Sequence, residues 1–313
     1  MKKEKLLVIV GPTAVGKTAL SVTLAERFSG EIISGDSLQV YKKLDIGTAK
    51  VTAEEKRGVP HYLIDVKEAT DEYSAFEFKL SAEKAISEIS KRNHLAIVAG
   101  GTGMYIQSLL FDFNLGAPEE NTQDKERRTY WENFAKNNGK EKLWQYLDSI
   151  DSKAAASIHL NNEKRVIRAI EVFEKTGISI LEQQGIDIKD LSNSPYDVKL
   201  IGLETDRELL YERINLRVDI MMEEGLLDEA EYVYSLGEVQ SRQGIGYKEF
   251  FPYFRGEMDL ETAIEKVKQN SRQYAKRQLT WFKNRMTVEW FDLVQHEEEI
   301  VKIQSSIENW LAE

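Results

Sequence analysis

The sequence predicts an α/β fold, an open parallel sheet covered by helices on both faces, with an all-helical insertion. Short apolar runs alternate with helical stretches, the first run enters a glycine-rich turn directly, and the alternation lapses between about residues 119 and 195. Lys5–Val10 (KLLVIV) is apolar without alternation, as a strand buried on both faces should be. Thr18–Phe28 reads as the helix that follows, and Glu31–Ser34 as a second strand ending at Gly35 and Asp36. Ala75–Lys91 is a helix, and Leu95–Ala99 a third buried strand before Gly100-Gly101-Thr102-Gly103. Val198–Leu203 and Thr287–Phe291 complete the strands, with one long helical stretch over Asp206–Leu236. Strands alternating with helices imply parallel pairing through crossovers. The interrupted region offers helical patterns at Lys125–Asn137, Lys140–Leu147 and Glu163–Lys175 but no strand, and the polar stretch Asp187–Pro195 leads back to one. The expected division is therefore a catalytic core of residues 1–118 and 196–313 and an insertion of residues 119–195.

Composition narrows the chemistry. With 42% hydrophobic and 30% charged residues, the chain of 313 is that of a soluble globular protein. The first apolar run is too short for a signal peptide or a membrane span, so a cytoplasmic protein with no membrane partner is expected. There are no cysteines, which removes disulfides, thiolate zinc sites and cysteine nucleophiles, and the four histidines lack metal-ligand spacing. The net charge of −11 weighs against a polyphosphate partner unless the charges are segregated, and they are. Lys266, Lys268, Arg272, Lys276, Arg277, Lys283 and Arg285 follow one another with no acidic residue between, interleaved with Tyr274, Trp281 and Phe282. Such a face suits an RNA backbone, with Arg272, Lys276 and Arg277 the chosen contacts; a solvated helix face is the alternative.

Gly11-Pro12-Thr13-Ala14-Val15-Gly16-Lys17-Thr18 fits G-x-x-x-x-G-K-[ST] between a strand and a helix, which makes the core P-loop NTPase-like. The glycines let backbone N–H groups turn toward an anion, and the helix N-terminus adds its positive end. Lys17 supplies a point charge, and the Thr18 hydroxyl is placed to ligate Mg²⁺. The acidic strand end that should help hold the magnesium of a nucleoside triphosphate is missing, since Leu95–Ala99 runs into Gly100-Gly101-Thr102. Parallel-sheet geometry gathers the loop, Asp36 and Thr102 at one crevice. A phosphate cradle with one carboxylate and one hydroxyl can bind a pyrophosphate and take a proton from a nucleophile.

Several further blocks resemble the tRNA dimethylallyltransferases: Asp36-Ser37-Leu38-Gln39-Val40-Tyr41 with Asp45-Ile46-Gly47-Thr48-Ala49-Lys50, Pro60–Asp65, Gly100–Tyr105, Gly244–Tyr247 and Arg272–Phe282. They run in the family's order over nearly the whole chain. The resemblance implies transfer of a dimethylallyl group from dimethylallyl diphosphate to N6 of the adenosine 3′ of the anticodon, with release of pyrophosphate. It implies as partners the tRNA anticodon stem-loop and that donor, with Mg²⁺ as cofactor. Carried over position by position, Gly11 to Thr18 cradles the donor diphosphate, Asp36 is the base at N6, and Thr102 binds the donor near its bridging oxygen. Asp36, Ser37, Leu38 and Gln39 match the segment that meets the target base, with Thr102 beside them. Lys164, Arg165, Val166, Ile167 and Arg168 match a tRNA-contacting segment of the insertion; Arg127, or its neighbour Arg128, matches another. Arg217 matches a diphosphate ligand, with a surface ion pair as the alternative. The absence of cysteine agrees with bacterial members, which lack a zinc-finger extension. An adenylate isopentenyltransferase, a P-loop metabolite kinase and a non-catalytic RNA-binding module are the competing readings. A monomer is the simplest expectation.

Overall fold

The structure, a computed structural model, describes residues 3–111, 122–181 and 189–313. Strands β1 (Lys5–Val10), β2 (Gly30–Ser34), β3 (His61–Tyr62), β4 (Leu95–Gly100), β5 (Asp197–Leu203) and β6 (Glu289–Phe291) form one sheet. Its order is β3-β2-β4-β1-β5-β6 and every pair is parallel. Leu6 to Val10 are fully buried. A strand whose successive side chains are all buried is covered on both faces, which explains the unalternating apolar run.

Parallel neighbours need crossovers, and helices supply them. Helix α1 (Lys17–Phe28) links β1 to β2; α2 (Ala53–Lys56) precedes β3; α3 (Ala75–Lys91) runs from β3 to β4; and α4 (Gly103–Leu110) follows β4. Ser74 and Glu77 form a reciprocal capping box at the start of α3, satisfying N–H groups that a helix end leaves without partners. Leu7, Ile9 and Ile97 of the sheet pack with Leu20 and Leu24 of α1.

After β5 the long helical stretch is broken. Helices α9 (Arg207–Glu224) and α10 (Leu226–Ser235) part at Gly225, whose φ of +104° is not helical. Helix α11 (Phe251–Phe254) is a single turn, and α12 (Leu260–Arg285) carries the basic stretch. The last strand starts at Glu289 rather than Thr287. Elements without a counterpart in the sequence reading include the two-residue β3, the helix α4 and the helix α13 (Glu299–Ala312). Helix α13 places Ile303, Ile307 and Trp310 in the main core.

Between α4 and β5 the described residues hold no strand. Helices α5 (Thr122–Asn138), α6 (Lys140–Ile150), α7 (Ser152–Ser157) and α8 (Glu163–Thr176) enclose a separate core that includes Trp131, Leu143, Leu147, Val166 and Ile170. The chain divides into two compact units, Met1–Asp112 with Ile188–Glu313 and Phe113–Asp187. The boundary expected at 118–119 lies outside the described residues. The return to the first unit comes before residue 196, because the Leu191–Asn193 turn is already tied to it. Lys3 Nζ donates to the carbonyls of Ser192 (2.8 Å) and Ser194 (2.6 Å), and Thr287 donates to that of Lys189 (2.9 Å).

Candidate active site

The turn after β1 requires two unusual backbone angles, φ +145° at Gly11 and +90° at Gly16, which L side chains rarely adopt. Those angles open a loop whose N–H groups lead into the N-terminus of α1. Other elements pin it. Arg213 of α9 donates through Nε to the Ala14 carbonyl (2.8 Å), and Gln278 of α12 accepts the Thr13 N–H at Oε1 (3.2 Å). Lys17 lies across the loop with Nζ donating to the Pro12 carbonyl (2.5 Å). Thr18 is exposed in the first turn of α1.

The ends of β2 and β4 converge on the same edge. Gly35 donates to the Ala99 carbonyl (2.8 Å) and accepts the Thr102 N–H (3.3 Å). A Cβ on Gly100 would stand 2.3 Å from the Gly35 carbonyl carbon, so only glycine lets the two backbones approach this closely. Asp36 Oδ1 accepts the N–H groups of Leu38 (2.8 Å) and Gln39 (3.4 Å), a local turn that fixes the carboxylate. Thr102 Oγ1 accepts the Ser37 N–H (3.1 Å) and donates to Ser37 Oγ (3.4 Å), with the Tyr274 hydroxyl nearby. Carboxylate, hydroxyl and phosphate loop thus share one crevice.

The groups at this edge also perturb one another's charge. Burial lowers the Lys17 pKa, the nearby Arg217 lowers it further, and Asp36 opposes both, leaving it at about 8. Burial also lowers that of Arg217, against the pull of Asp36. Tyr274 is pushed up to about 12, by burial first and then by Asp36. Two cations held close together with a single carboxylate make a pocket for an anion.

Helix α12 turns two faces to different tasks. Tyr274, Gln278 and Trp281, spaced i, i+4 and i+7, run along the Gly101–Gly103 stretch. Tyr274 reaches Thr102, Gln278 Nε2 donates to the Gly101 carbonyl (3.0 Å), and the Trp281 ring lies against Gly103. Sequence reasoning took the cations of this stretch, with Tyr274 among the interleaved aromatic residues, and gave no role to Gln278 or Arg213; a glutamine at helical spacing between Tyr274 and Trp281 was the available signal. The stretch is also less free of acidic neighbours than its sequence suggested. Lys268 pairs with Asp219 (2.7 Å) and Lys283 with Glu204 (2.5 Å), both from outside α12. Arg272 bonds Asn215 Oδ1 (2.5 Å). Lys276 and Arg277 are exposed, and no ion pair among the described residues engages either.

In the helical unit, Lys164 and Arg165 are exposed and Arg168 is half-buried. The side chains of Val166 and Ile167 do not share that surface. They are 0% and 3% exposed, because the amphipathic pattern of α8 commits them to the unit's core. Arg127 lies 3.7 Å from Glu174, and Arg128 holds Glu171 through two bonds of 3.0 Å. Gln39 is likewise engaged. Its Nε2 donates to the carbonyls of Thr48 (3.2 Å) and Ala49 (3.3 Å), and Oε1 accepts from Ser34 Oγ (2.8 Å).

The chain matches the family model for IPP transferase over residues 39–285. It is 57% identical over 308 residues to a tRNA dimethylallyltransferase of Enterococcus faecalis, covering 98% of each chain. A tRNA dimethylallyltransferase of Ligilactobacillus salivarius is 51% identical, covering 98% of this chain and 99% of its own. Among solved structures, the full-length tRNA isopentenylpyrophosphate transferase of Bacillus halodurans superposes with a TM-score of 0.74 at 48% identity, covering 99% of this chain and 97% of that one. A eukaryotic dimethylallyltransferase acting on tRNA gives a TM-score of 0.80 at 30% identity, covering 98% and 79%.

Proposed function

The chain belongs to the IPP transferase family, and from that premise we propose that it moves a dimethylallyl group from dimethylallyl diphosphate to N6 of the adenosine 3′ of the anticodon in tRNA. The observation that carries this reading is the meeting of Asp36, Thr102 and the 11–18 loop at the C-terminal ends of three adjacent strands. The loop N–H groups, Lys17 and Arg217 receive the diphosphate. As the allylic carbon–oxygen bond breaks, charge grows on the departing pyrophosphate, and fixed donors already aimed there stabilise it. The exocyclic amine is a weak nucleophile whose lone pair is delocalised into the ring. Asp36 orients it and accepts its proton as the new carbon–nitrogen bond forms. Oδ1 is held by two backbone N–H groups, while no hydrogen bond among the described residues reaches Oδ2, which is the oxygen assigned to that proton. The base must leave the anticodon-loop stack to reach this crevice.

Magnesium suits the donor set. No group of three His, Cys, Asp or Glu side chains among the described residues could cage a metal, and the exposed Thr18 hydroxyl in the first turn after the loop is the protein group we assign to it. An ion that keeps water and binds through substrate phosphates needs little more. Bound there, it would neutralise pyrophosphate charge. For the RNA, Lys276 and Arg277 on α12 and Lys164, Arg165 and Arg168 on the helical unit are the cations we assign to phosphate contacts. No described helix is long and apolar enough to cross a membrane. We place the enzyme in the cytoplasm, where its substrate would be met.

The test is transfer itself. Protein, donor, Mg²⁺ and unmodified tRNA should yield a prenylated adenosine on nucleoside mass analysis, and chelation should abolish it. Asp36→Asn should lower turnover by about 10²–10⁴-fold while tRNA affinity stays within a few-fold. Turnover near wild type would remove Asp36 as the base. Magnesium-dependent ATP hydrolysis without prenyl transfer to any tRNA would overturn the whole reading in favour of a kinase-like enzyme.

A further inference from the structure

The turn that follows the acceptor segment is gripped by a carboxylate from a distant part of the chain. Glu229 of α10 accepts three successive backbone N–H groups, from Asp45 (2.7 Å), Ile46 (2.9 Å) and Gly47 (2.8 Å). Its Oε1 also accepts the Tyr247 hydroxyl (2.8 Å). A carboxylate has about four lone-pair sites, so these donors saturate it. Burial, and then the Glu229 charge, raise the Tyr247 pKa far above its ordinary value, so the phenol stays a donor. Gly47 is pressed against that ring, where a Cβ would lie 2.6 Å from Cε1.

The grip continues into the site by two routes. The carbonyls of Thr48 and Ala49, next in the turn, hold the Gln39 amide, and the Gln39 N–H returns to Asp36 Oδ1 at 3.4 Å. Separately, Gly244 of the Gly244–Tyr247 segment lies under Leu38, whose Cδ1 would stand 2.9 Å from a Cβ there. Both routes end on residues 36–39, and neither touches the phosphate loop.

We propose that Glu229 is a positioning residue for the acceptor nucleotide, fixing the 45–49 turn and through Gln39 and Leu38 the carboxylate of Asp36. This rests on the reading that residues 36–39 receive the target base. Glu229→Gln replaces one acceptor oxygen with an N–H₂ group facing backbone donors, so the turn must shift. A displacement of about 1 Å at reacting groups costs about 10²-fold, and the loss should fall on kcat and on kcat/KM for tRNA. Pyrophosphate affinity and the melting temperature should stay near wild type. Glu229 and Gln39 share one of the two routes, so the losses from Glu229→Gln and Gln39→Ala should sum to less than additive in the double variant.

The experiment measures prenyl transfer, pyrophosphate binding and thermal unfolding for wild type, Glu229→Gln, Gln39→Ala, the double variant and Tyr247→Phe. A wild-type protein inert toward every tRNA fails the functional reading itself. With wild type active, the positioning role is overturned by unchanged tRNA kinetics, by pyrophosphate affinity falling in step with turnover, or by additive losses. If Glu229→Gln does not fold, Tyr247→Phe decides, since it keeps the three backbone bonds and removes the fourth. It should show the same selective loss in smaller measure, and equal loss on the donor side or none at all overturns the proposal.

Discussion

Asp36 and Lys17 illustrate how single side chains in this crevice are set by their immediate neighbours. Asp36 has one oxygen held by the turn it begins. Lys17 has a pKa of about 8 because burial and Arg217 both disfavour its charge. Only the protonated amine attracts a diphosphate, so pyrophosphate affinity should fall as pH rises through about 8, and a Lys17→Met variant should lack that dependence. The same shift has a sign in stability. The folded pKa, about 8, lies below the model-compound value of 10.5, so between them the unfolded chain binds more protons and stability rises with pH. Lys17→Met should therefore melt higher than wild type near neutral pH, with the advantage shrinking toward about pH 10. A pH-independent gap in thermal unfolding curves would show that the charge carries no such cost.

At the scale of the element, α12 decides how far a run of cations can be taken as an RNA surface. Its Tyr274–Gln278–Trp281 face is occupied by the Gly101–Gly103 stretch, and two of its lysines are paired inside the protein. Lys276→Gln and Arg277→Gln should each weaken tRNA binding and reduce the salt slope by roughly one counterion. Different tRNAs should lose affinity alike, because phosphate contacts position without reading sequence. Lys283→Gln should leave the slope unchanged, since Glu204 holds that amine. Binding titrations at several salt concentrations separate these outcomes, and a Lys283 effect as large as that of Lys276 would contradict this division of the helix. The run was legible in the sequence because charge spacing is local. Its partners were not, since Asp219 and Glu204 lie far away along the chain.

At the scale of the molecule, each unit has a core of its own, and the helical unit's core is small enough to test directly. Leu143 is fully buried in it. Leu143→Ala should cost about 2–5 kcal/mol, the usual range for such a cavity. Because the phosphate loop belongs to the other unit, pyrophosphate binding should survive a loss of order in the helical one, while transfer to tRNA falls. Calorimetry with pyrophosphate titration would check this. A parallel loss of both functions would mean that the two units do not fold independently.

What the sequence determined by itself was whatever depends on neighbours along the chain. Apolar runs without alternation marked the inner strands, and a glycine-rich turn before Lys17 marked the phosphate loop, because backbone conformation and local burial are written in short windows. The break at Gly225 fell within such a window but was hidden by helical pattern on both sides. Only the tertiary structure decided what distance along the chain conceals. It put Gln278 on the Thr13 and Gly101 backbones, Arg213 on Ala14, and the Glu229 carboxylate on the 45–47 turn. It also took Val166 and Ile167 into a core while leaving Lys164 and Arg165 outside. Those choices follow from which buried polar groups need partners and which apolar faces need covering, and a partner can come from any part of the chain that the fold brings within hydrogen-bond reach.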